Sequence, residues 1–265
     1  MLSALIIVFR EVLEMSIILG LLFAATKGVV GCKKWIIAGA GLGLLGAFMF
    51  ALFMEEVENA MDGAGEFVFN AVVLGFASVL LAWTVVWMSK HGRNMSQRLK
   101  QAGTSVAEGE LPMVSLMLVS LAAVMREGGE AVFFLFGAAQ MEDDAQAMLM
   151  GGMMGLAAGA TLGVVLYQGL IRIPMKHVFS VMGALLILLA AGMASQAASN
   201  LVLVDMIPPI IDTLWDSSFI LSDESLMGEI LHVLMGYDSQ PSGMQMMVFL
   251  LTLGIVTWLY KRAQH

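Results

Sequence analysis

A chain of 265 residues with 59% apolar and 13% charged side chains and a mean hydropathy of +0.87 lacks the polar surface needed to coat a water-soluble globule. That balance excludes an ordinary soluble domain and predicts an all-α integral membrane protein. The formal net charge of -8 matters less than where the charges sit, and the single cysteine, Cys32, excludes an intrachain disulfide.

A hydrocarbon core of about 30 Å takes roughly 20 residues of apolar helix. Seven transmembrane helices are predicted, near 2–25, 35–54, 67–89, 112–139, 147–171, 177–199 and 244–260. The first begins Met1-Leu2-Ser3-Ala4, with neither a basic flank nor a small-residue cleavage site, so it is expected to stay as a span rather than leave as a signal peptide. Glycine runs at 39–43 and 151–155 suit spans, because small residues let helices approach closely in lipid.

The charges sort cleanly between these spans. Lys27, Lys33 and Lys34 follow the first, Lys90, Arg93, Arg98 and Lys100 the third, Arg172 and Lys176 the fifth, and Lys261 and Arg262 the seventh. Eleven of the 13 basic residues thus share one side, while Arg10 and Arg126 lie inside spans. The positive-inside rule then predicts an outer N-terminus and a cytoplasmic C-terminus. Acids gather opposite, from Glu55 to Glu66, from Glu142 to Asp144 and from Asp205 to Asp238. A face of that sign concentrates cations; the plainer account is that acids collect where bases are kept out.

Phe9-Arg10-Glu11-Val12-Leu13-Glu14 in the first span matches Met125-Arg126-Glu127-Gly128-Gly129-Glu130 in the fourth at an offset of 116 residues. The same offset sets Gly39 on Gly155, Gly43 on Gly159 and the third span on the sixth. Three spans is an odd number, so the halves face opposite ways, as in inverted-repeat transporters with a site near the midplane. The predicted organisation has residues 1–105 as a three-helix repeat with its cytoplasmic linker and 112–200 as the second repeat. An extracytoplasmic segment follows at 201–243, then a seventh helix and cytoplasmic tail at 244–265.

Each charge at a helix centre costs on the order of 2.5–3.5 kcal/mol on insertion scales, and the two motifs place six there. Glu11 and Glu14 stand i, i+3 and Arg10 and Glu14 i, i+4, so each motif puts two carboxylates and a guanidinium on one stripe. Four glutamates against two arginines leave an excess of negative charge that a divalent or trivalent cation would offset. Carboxylates without thiol or imidazole partners suit hard or borderline metals. The structural alternative is a pair of intrahelical ion pairs stapling the bundle. Buried ion pairs rarely gain over apolar packing, and this arrangement leaves one glutamate per helix without a partner.

Paired Arg-Glu-x-x-Glu motifs in the first and fourth of seven spans resemble the oxidase-dependent iron transporter family. The resemblance covers almost the whole chain, including Tyr167-Gln168-Gly169-Leu170-Ile171-Arg172, Ala190-Ala191-Gly192, Leu231-His232, Gly236-Tyr237 and Pro241-Ser242. It implies an iron permease of the bacterial cytoplasmic (inner) membrane rather than an enzyme, with Glu11, Glu14, Glu127 and Glu130 handling iron and Arg10 and Arg126 as charge partners. It implies iron as transported substrate, no tightly bound cofactor, and a separate extracytoplasmic redox or iron-delivery partner. No nucleic-acid partner is expected, and homo-oligomerisation is left open. The family's usual motif reads Arg-Glu-Gly-Leu-Glu, so Val12 and Gly129 depart from it. Asn70 stands where many members carry a glutamate near the start of span three, which makes it an accessory candidate.

Glu229-Ile230-Leu231-His232 has the Glu-x-x-His spacing of carboxylate metal sites, though di-iron bundles need two such motifs. With Asp223 and Glu224, Glu229 and His232 form a candidate outer capture site; the plainer reading is an interfacial amphipathic segment. Twenty-four methionines raise copper as a cargo, but their dispersal reads as ordinary packing. Pro208-Pro209 breaks a partly helical sixth connection, and the run from Lys90 to Lys100 reads as a solvated linker. The competing functions are a membrane ferroxidase or haem-linked oxidoreductase, and the same scaffold carrying manganese, lead or copper. None of His91, His177, His232 and His265 falls mid-span, which excludes a bis-His haem between helices. Without a GxxxxGK[ST] sequence, ATP hydrolysis by this chain is not expected.

Overall fold

The computed structural model describes residues 1–60, 66–141, 144–168, 175–222, 225, 227–228, 231–232 and 236–264; at 58–60, 66, 90–100, 175–179 and 264 it describes backbone alone. Among these residues are seven long helices and no strand. They are α1 (Leu2–Ala25), α2 (Cys32–Ala60), α3 (Glu66–Ala107), α4 (Val114–Ala139), α5 (Ala145–Tyr167), α6 (Met175–Leu203) and α7 (Gly243–Gln264). The expected bounds agree to within about a turn, except at two C-terminal ends. Helix α2 runs on to Ala60, and α3 continues through the basic run to Ala107. Residues 90–107 contain no proline, so nothing stops α3 before Gly109, whose φ of 81° turns the chain ahead of Pro112.

Among the described residues, five stretches are long and apolar enough to cross a membrane: Cys32–Val57, Phe67–Ser89, Ala145–Tyr167, Ser180–Leu203 and Gly243–Ala263. Helices α1 and α4 match them in length, at 24 and 26 residues, but each carries three charges near its middle. Helix ends are tied by local chemistry. Asp144 caps α5, accepting from Gln146 N at 2.9 Å and Ala147 N at 3.1 Å. Ser242 and Gln245 form a reciprocal capping box on α7, with Ser242 N donating to Gln245 Oε1 and Gln245 N to Ser242 Oγ. Lys261 and Arg262 stand in its last turn, where cations oppose the helix dipole.

Although α1 and α2 are joined by a short turn, they touch little. Helix α1 lies along α5, α2 along α4, and α3 along α6, with α7 packed on α6 and α3. Glycine makes the first two pairings close. A Cβ at Gly155 would fall 2.5 Å from Leu5 O and 2.9 Å from Phe9 N; one at Gly43 would fall 2.9 Å from Leu121 O and 3.0 Å from Met125 N. Leu5 and Leu121 are 116 residues apart, as are Phe9 and Met125, but Gly43 and Gly155 are 112 apart. Gly39 against Met117 O and Gly151 against Met1 O repeat the relation. The structure therefore corrects the expected matching of Gly39 to Gly155 and Gly43 to Gly159 by one helical turn. The departure at Val12 acquires a packing reason in this register: Val12 rests on Gly159 where Gly128 rests on Ala47, while Gly129 meets nothing within 4 Å and its departure has no structural explanation. A larger residue on one side of each crossing meets a smaller one opposite.

The buried core runs between α1, α3, α4 and α6, with Ile7, Leu74, Leu81, Phe134, Leu186 and Leu189 almost wholly enclosed. Ser78 Oγ donates to Ala190 O at 2.6 Å across the α3–α6 contact. The buried face of α5 consists of Gly151, Gly155, Gly159 and Gly163. Its Met150, Met153 and Met154 are exposed on the outside of the bundle, away from the charged motifs.

The described part of the connection from α6 to α7 is mostly irregular. Its two ends pair through Leu214 N to Pro241 O, Ser217 N to Ser239 O, Gly243 N to Ile211 O and Met244 N to Pro209 O. Asp216 accepts from the hydroxyl and backbone N–H of Ser218, which hold its carboxyl below the usual range, with help from Gln240. The same connection folds back on α6. Gly236, at φ 64°, sits so close to Gly192 that a Cβ would fall 2.8 Å from Gly192 Cα, and Ser195 Oγ donates to Gln245 O.

Gly155→Leu is expected to destabilise the detergent-solubilised protein by about 1–3 kcal/mol through overpacking against α1. Gly41→Leu should be near neutral, since Gly41 meets nothing within 4 Å. Thermal unfolding of both variants beside the parent would check this, and equal losses would contradict the α1–α5 packing.

Candidate metal centre

Helices α1 and α4 meet at their charged middles, and α3 lies beside both. On α1, Arg10 Nη1 is 2.8 Å from Glu11 Oε1 and Arg10 Nε is 2.8 Å from Glu14 Oε1. The expectation of one unpartnered glutamate per helix is therefore corrected for α1. The guanidinium has donors enough to take both neighbours at once. On α4, Arg126 Nε is 2.9 Å from Glu130 Oε1 but 4.0 Å from Glu127 Oε1. Arg126 also stands over the Trp87 ring of α3 at 4.6 Å, and Thr84 Oγ1 donates to Glu130 Oε2 at 3.2 Å.

These contacts divide the six motif residues into two environments. Arg10, Glu11 and Glu14 are sealed, with side chains at most 5% exposed, and Glu127 is buried with them. Arg126 is 35% and Glu130 20% exposed, facing a cleft of about 320 Å³ whose walls include Leu80, Trp83, Thr84 and Trp87. Ligand oxygens of Glu11, Glu14 and Glu127 all lie within 4.8 Å of one another, close enough for one cation to bridge them. Glu130 is not part of that trio.

Glu11 Oε2 and Glu127 Oε2 are buried without a hydrogen-bond partner among the described residues. An unsatisfied buried polar group costs about 1–3 kcal/mol, and more when charged. Supplying two donors would need further polar residues, whereas one cation satisfies both oxygens. The donor set is all oxygen, which fits a hard or borderline metal ion.

The accessory candidates fare differently. Asn70 is half-buried near the start of α3, fourteen residues and so about 21 Å along the helix from Thr84. The structure does not bring it to Glu130. His232 Nδ1 lies 2.6 Å from Tyr237 O; a carbonyl only accepts, so Nδ1 carries the hydrogen. Its Nε2 is then free to accept from Gln196 Nε2 at 3.4 Å, and the ring ties the last connection to α6. Asp223, Glu224 and Glu229 lie outside the described residues. Sequence reasoning missed Thr84, Trp87 and Gln196. The available signal was Thr84 and Trp87 at i, i+3 in an otherwise apolar run, one turn apart like the motif residues they contact.

The model of the iron permease FTR1 family matches residues 1–260. The chain is 31% identical over 252 residues to the ferrous iron permease EfeU of Escherichia coli O6:K15:H31 (strain 536 / UPEC), covering 94% of this chain and 91% of that protein. It shares 31% identity over 253 residues, with the same coverage, with a protein of Escherichia coli (strain K12) provisionally named an inactive ferrous iron permease EfeU. With the ferrous iron permease EfeU of Shigella flexneri it shares 32% over 203 residues, 76% of this chain and 86% of that one. No solved structure matches it.

Because Arg10 is enclosed with two carboxylates, Arg10→Met should cost about 3–5 kcal/mol, as breaking a buried ion pair does. Arg126→Met, at a third-exposed position, should cost less than half of that. Thermal unfolding of the two purified variants distinguishes these outcomes, and equal losses would mean that the difference in enclosure is without consequence.

Proposed function

The chain belongs to the iron permease FTR1 family, and from that premise we propose that it carries Fe(II) inward across the bacterial cytoplasmic membrane through a site built on Glu11, Glu14 and Glu127. The observation that carries this reading is the buried carboxylate trio, with ligand oxygens within 4.8 Å of one another and two oxygens without a hydrogen-bond partner among the described residues. Glu130 serves as a fourth carboxylate, one turn along α4 from Glu127. Arg10 and Arg126 partly neutralise the four glutamates and leave two negative charges in excess, if all are ionised. A dication brings that sum to zero, whereas a trication overshoots. Relatives named ferrous iron permeases agree with the lower charge.

All seven long helices span the membrane in this reading, α1 and α4 included, because their charges turn inward onto one another instead of onto lipid. The sorting of lysine and arginine puts the N-terminus outside and the C-terminus in the cytoplasm. The contacts of α4 on α2 recurring as those of α1 on α5 support two inverted three-helix repeats that exchange their second helices. The acid-rich connections then face outward, where they draw in cations and meet an extracytoplasmic redox or iron-delivery partner.

Uptake of radioactive iron into iron-starved cells expressing the chain tests the reading. Glu14→Ala and Glu127→Ala, at matched membrane abundance, are expected to reduce uptake to the level of cells lacking the permease. Uptake equal to the parent in both variants would return the buried charges to a structural role.

A further inference from the structure

The same Arg-Glu-x-x-Glu motif occupies α1 and α4, and its spacing lets one guanidinium hold both glutamates. Arg10 does so, at 2.8 Å from Glu11 Oε1 and 2.8 Å from Glu14 Oε1. Arg126 has glutamates at the same two positions, i+1 and i+4, and the same five donors. It nevertheless holds only Glu130, at 2.9 Å, and stands 4.0 Å from Glu127 Oε1. Spacing along the helix cannot account for that difference, so its cause lies in what packs against each motif.

Helix α3 makes two such contacts with the α4 copy. The Arg126 guanidinium stands over the Trp87 ring, with Cζ 4.6 Å from the centroid, a distance at which a ring face attracts a cation. Thr84, buried one turn before Trp87, donates to Glu130 Oε2 at 3.2 Å and leaves Oε1 to the guanidinium. Ring and carboxylate together draw Arg126 toward the cleft and away from Glu127. A desolvated cation–ring contact is comparable in strength with one charge-assisted hydrogen bond. That is enough to place an arginine that keeps Glu130 in either position. Glu127 is left buried, with Oε2 lacking a hydrogen-bond partner among the described residues.

We propose that Trp87 is a positioning residue that keeps Arg126 off Glu127 and so sets the charge of the carboxylate trio to match a dication. The proposal rests on the permease reading of the same site. Six motif charges are divided unequally by these contacts. Arg126 and Glu130 form a neutral pair of their own. Glu11, Glu14 and Glu127 set three negative charges against the one positive charge of Arg10, so the trio keeps two in excess if all are ionised. A guanidinium drawn onto Glu127 would cut that excess to one and occupy a ligand oxygen as well. An Fe(II) ion would then meet half the countercharge it needs.

Saturation curves for Fe(II) uptake into iron-starved cells test this, at matched membrane abundance and with thermal unfolding as the check on folding. Trp87→Leu and Trp87→Met, two variants without a ring, should each raise the half-saturating Fe(II) concentration about tenfold. Their maximal uptake should stay within about twofold of the parent, since the ligands themselves are intact. Trp87→Phe, which keeps a ring face, should stay close to the parent in both quantities. In an Arg126→Gln background Trp87→Leu should bring no further change, because the guanidinium on which the ring acts is gone. Parent-like affinity in Trp87→Leu and Trp87→Met would mean that hydration alone holds the third-exposed Arg126, and overturns the proposal. Equal weakening by leucine and phenylalanine, or an undiminished effect in the Arg126→Gln background, overturns it as well. Uptake by Glu14→Ala, measured in parallel, separates the two ideas. Parent-like uptake there rejects the carboxylate site itself, whereas its loss beside parent-like affinity in Trp87→Leu rejects the role of Trp87 alone.

Discussion

Everything in this bundle answers to one constraint: carboxylates outnumber their counter-charges in a place where water cannot compensate. Arg10 holds Glu11 and Glu14 together at 2.8 Å each, which uses up the charge of the α1 guanidinium. Glu127, whose own arginine is 4.0 Å away, is then pressed against that pair from α4. Desolvating so many ions is unfavourable unless further interactions repay it, and apolar packing of the same volume would be more stable. The arrangement makes physical sense where a mobile cation supplies the missing charge, as transport of iron requires.

Bringing two charged helices that close asks for helices without bulk around them, and glycine provides this. Helix α5 presents a stripe of Gly151, Gly155, Gly159 and Gly163 to α1, and α2 presents Gly39 and Gly43 to α4. In lipid the hydrophobic effect gives helices no drive to associate, so backbone approach and dispersion carry the packing. Val12 on Gly159 and Gly128 on Ala47 show the two crossings keeping a similar combined bulk by different means. The departure at Val12 therefore reads as a packing adjustment made around unchanged acids and arginines.

Much of this was legible before any coordinates. Helix positions follow from apolar runs of the right length, and the two motifs announce themselves because charge is so rare in those runs. What sequence could not supply is register and reach. An offset of 116 matches the motifs but misplaces the glycines by a turn, because the connection between first and second helices differs in length between the halves. Spacing on one helix shows Arg10 and Glu14 sharing a face, but not that the long arginine side chain also returns to Glu11. Thr84 and Trp87 escaped notice because hydroxyl and indole groups are unremarkable in a span until a partner helix brings Glu130 and Arg126 against them.

The difference between the two half-sites has its own cause in the chain. If the halves are repeats, their helices alone would surround both motifs alike, and the cleft beside Arg126 would recur beside Arg10. Residues 204–242 and α7 have no counterpart in the first half. His232, Gly236 and Gln245 lie on α6 at Gln196, Gly192 and Ser195, while α3 keeps a cleft beside α4. Contacts that burial and a handful of neutral hydrogen bonds maintain are modest in net strength, weaker than the charge-assisted pairs of the two motifs. Asymmetry that rests on such contacts can be reversed without disturbing the charged centre. A carrier that must expose one carboxylate site to two sides in turn needs its reversible parts and its charged parts separated in this way.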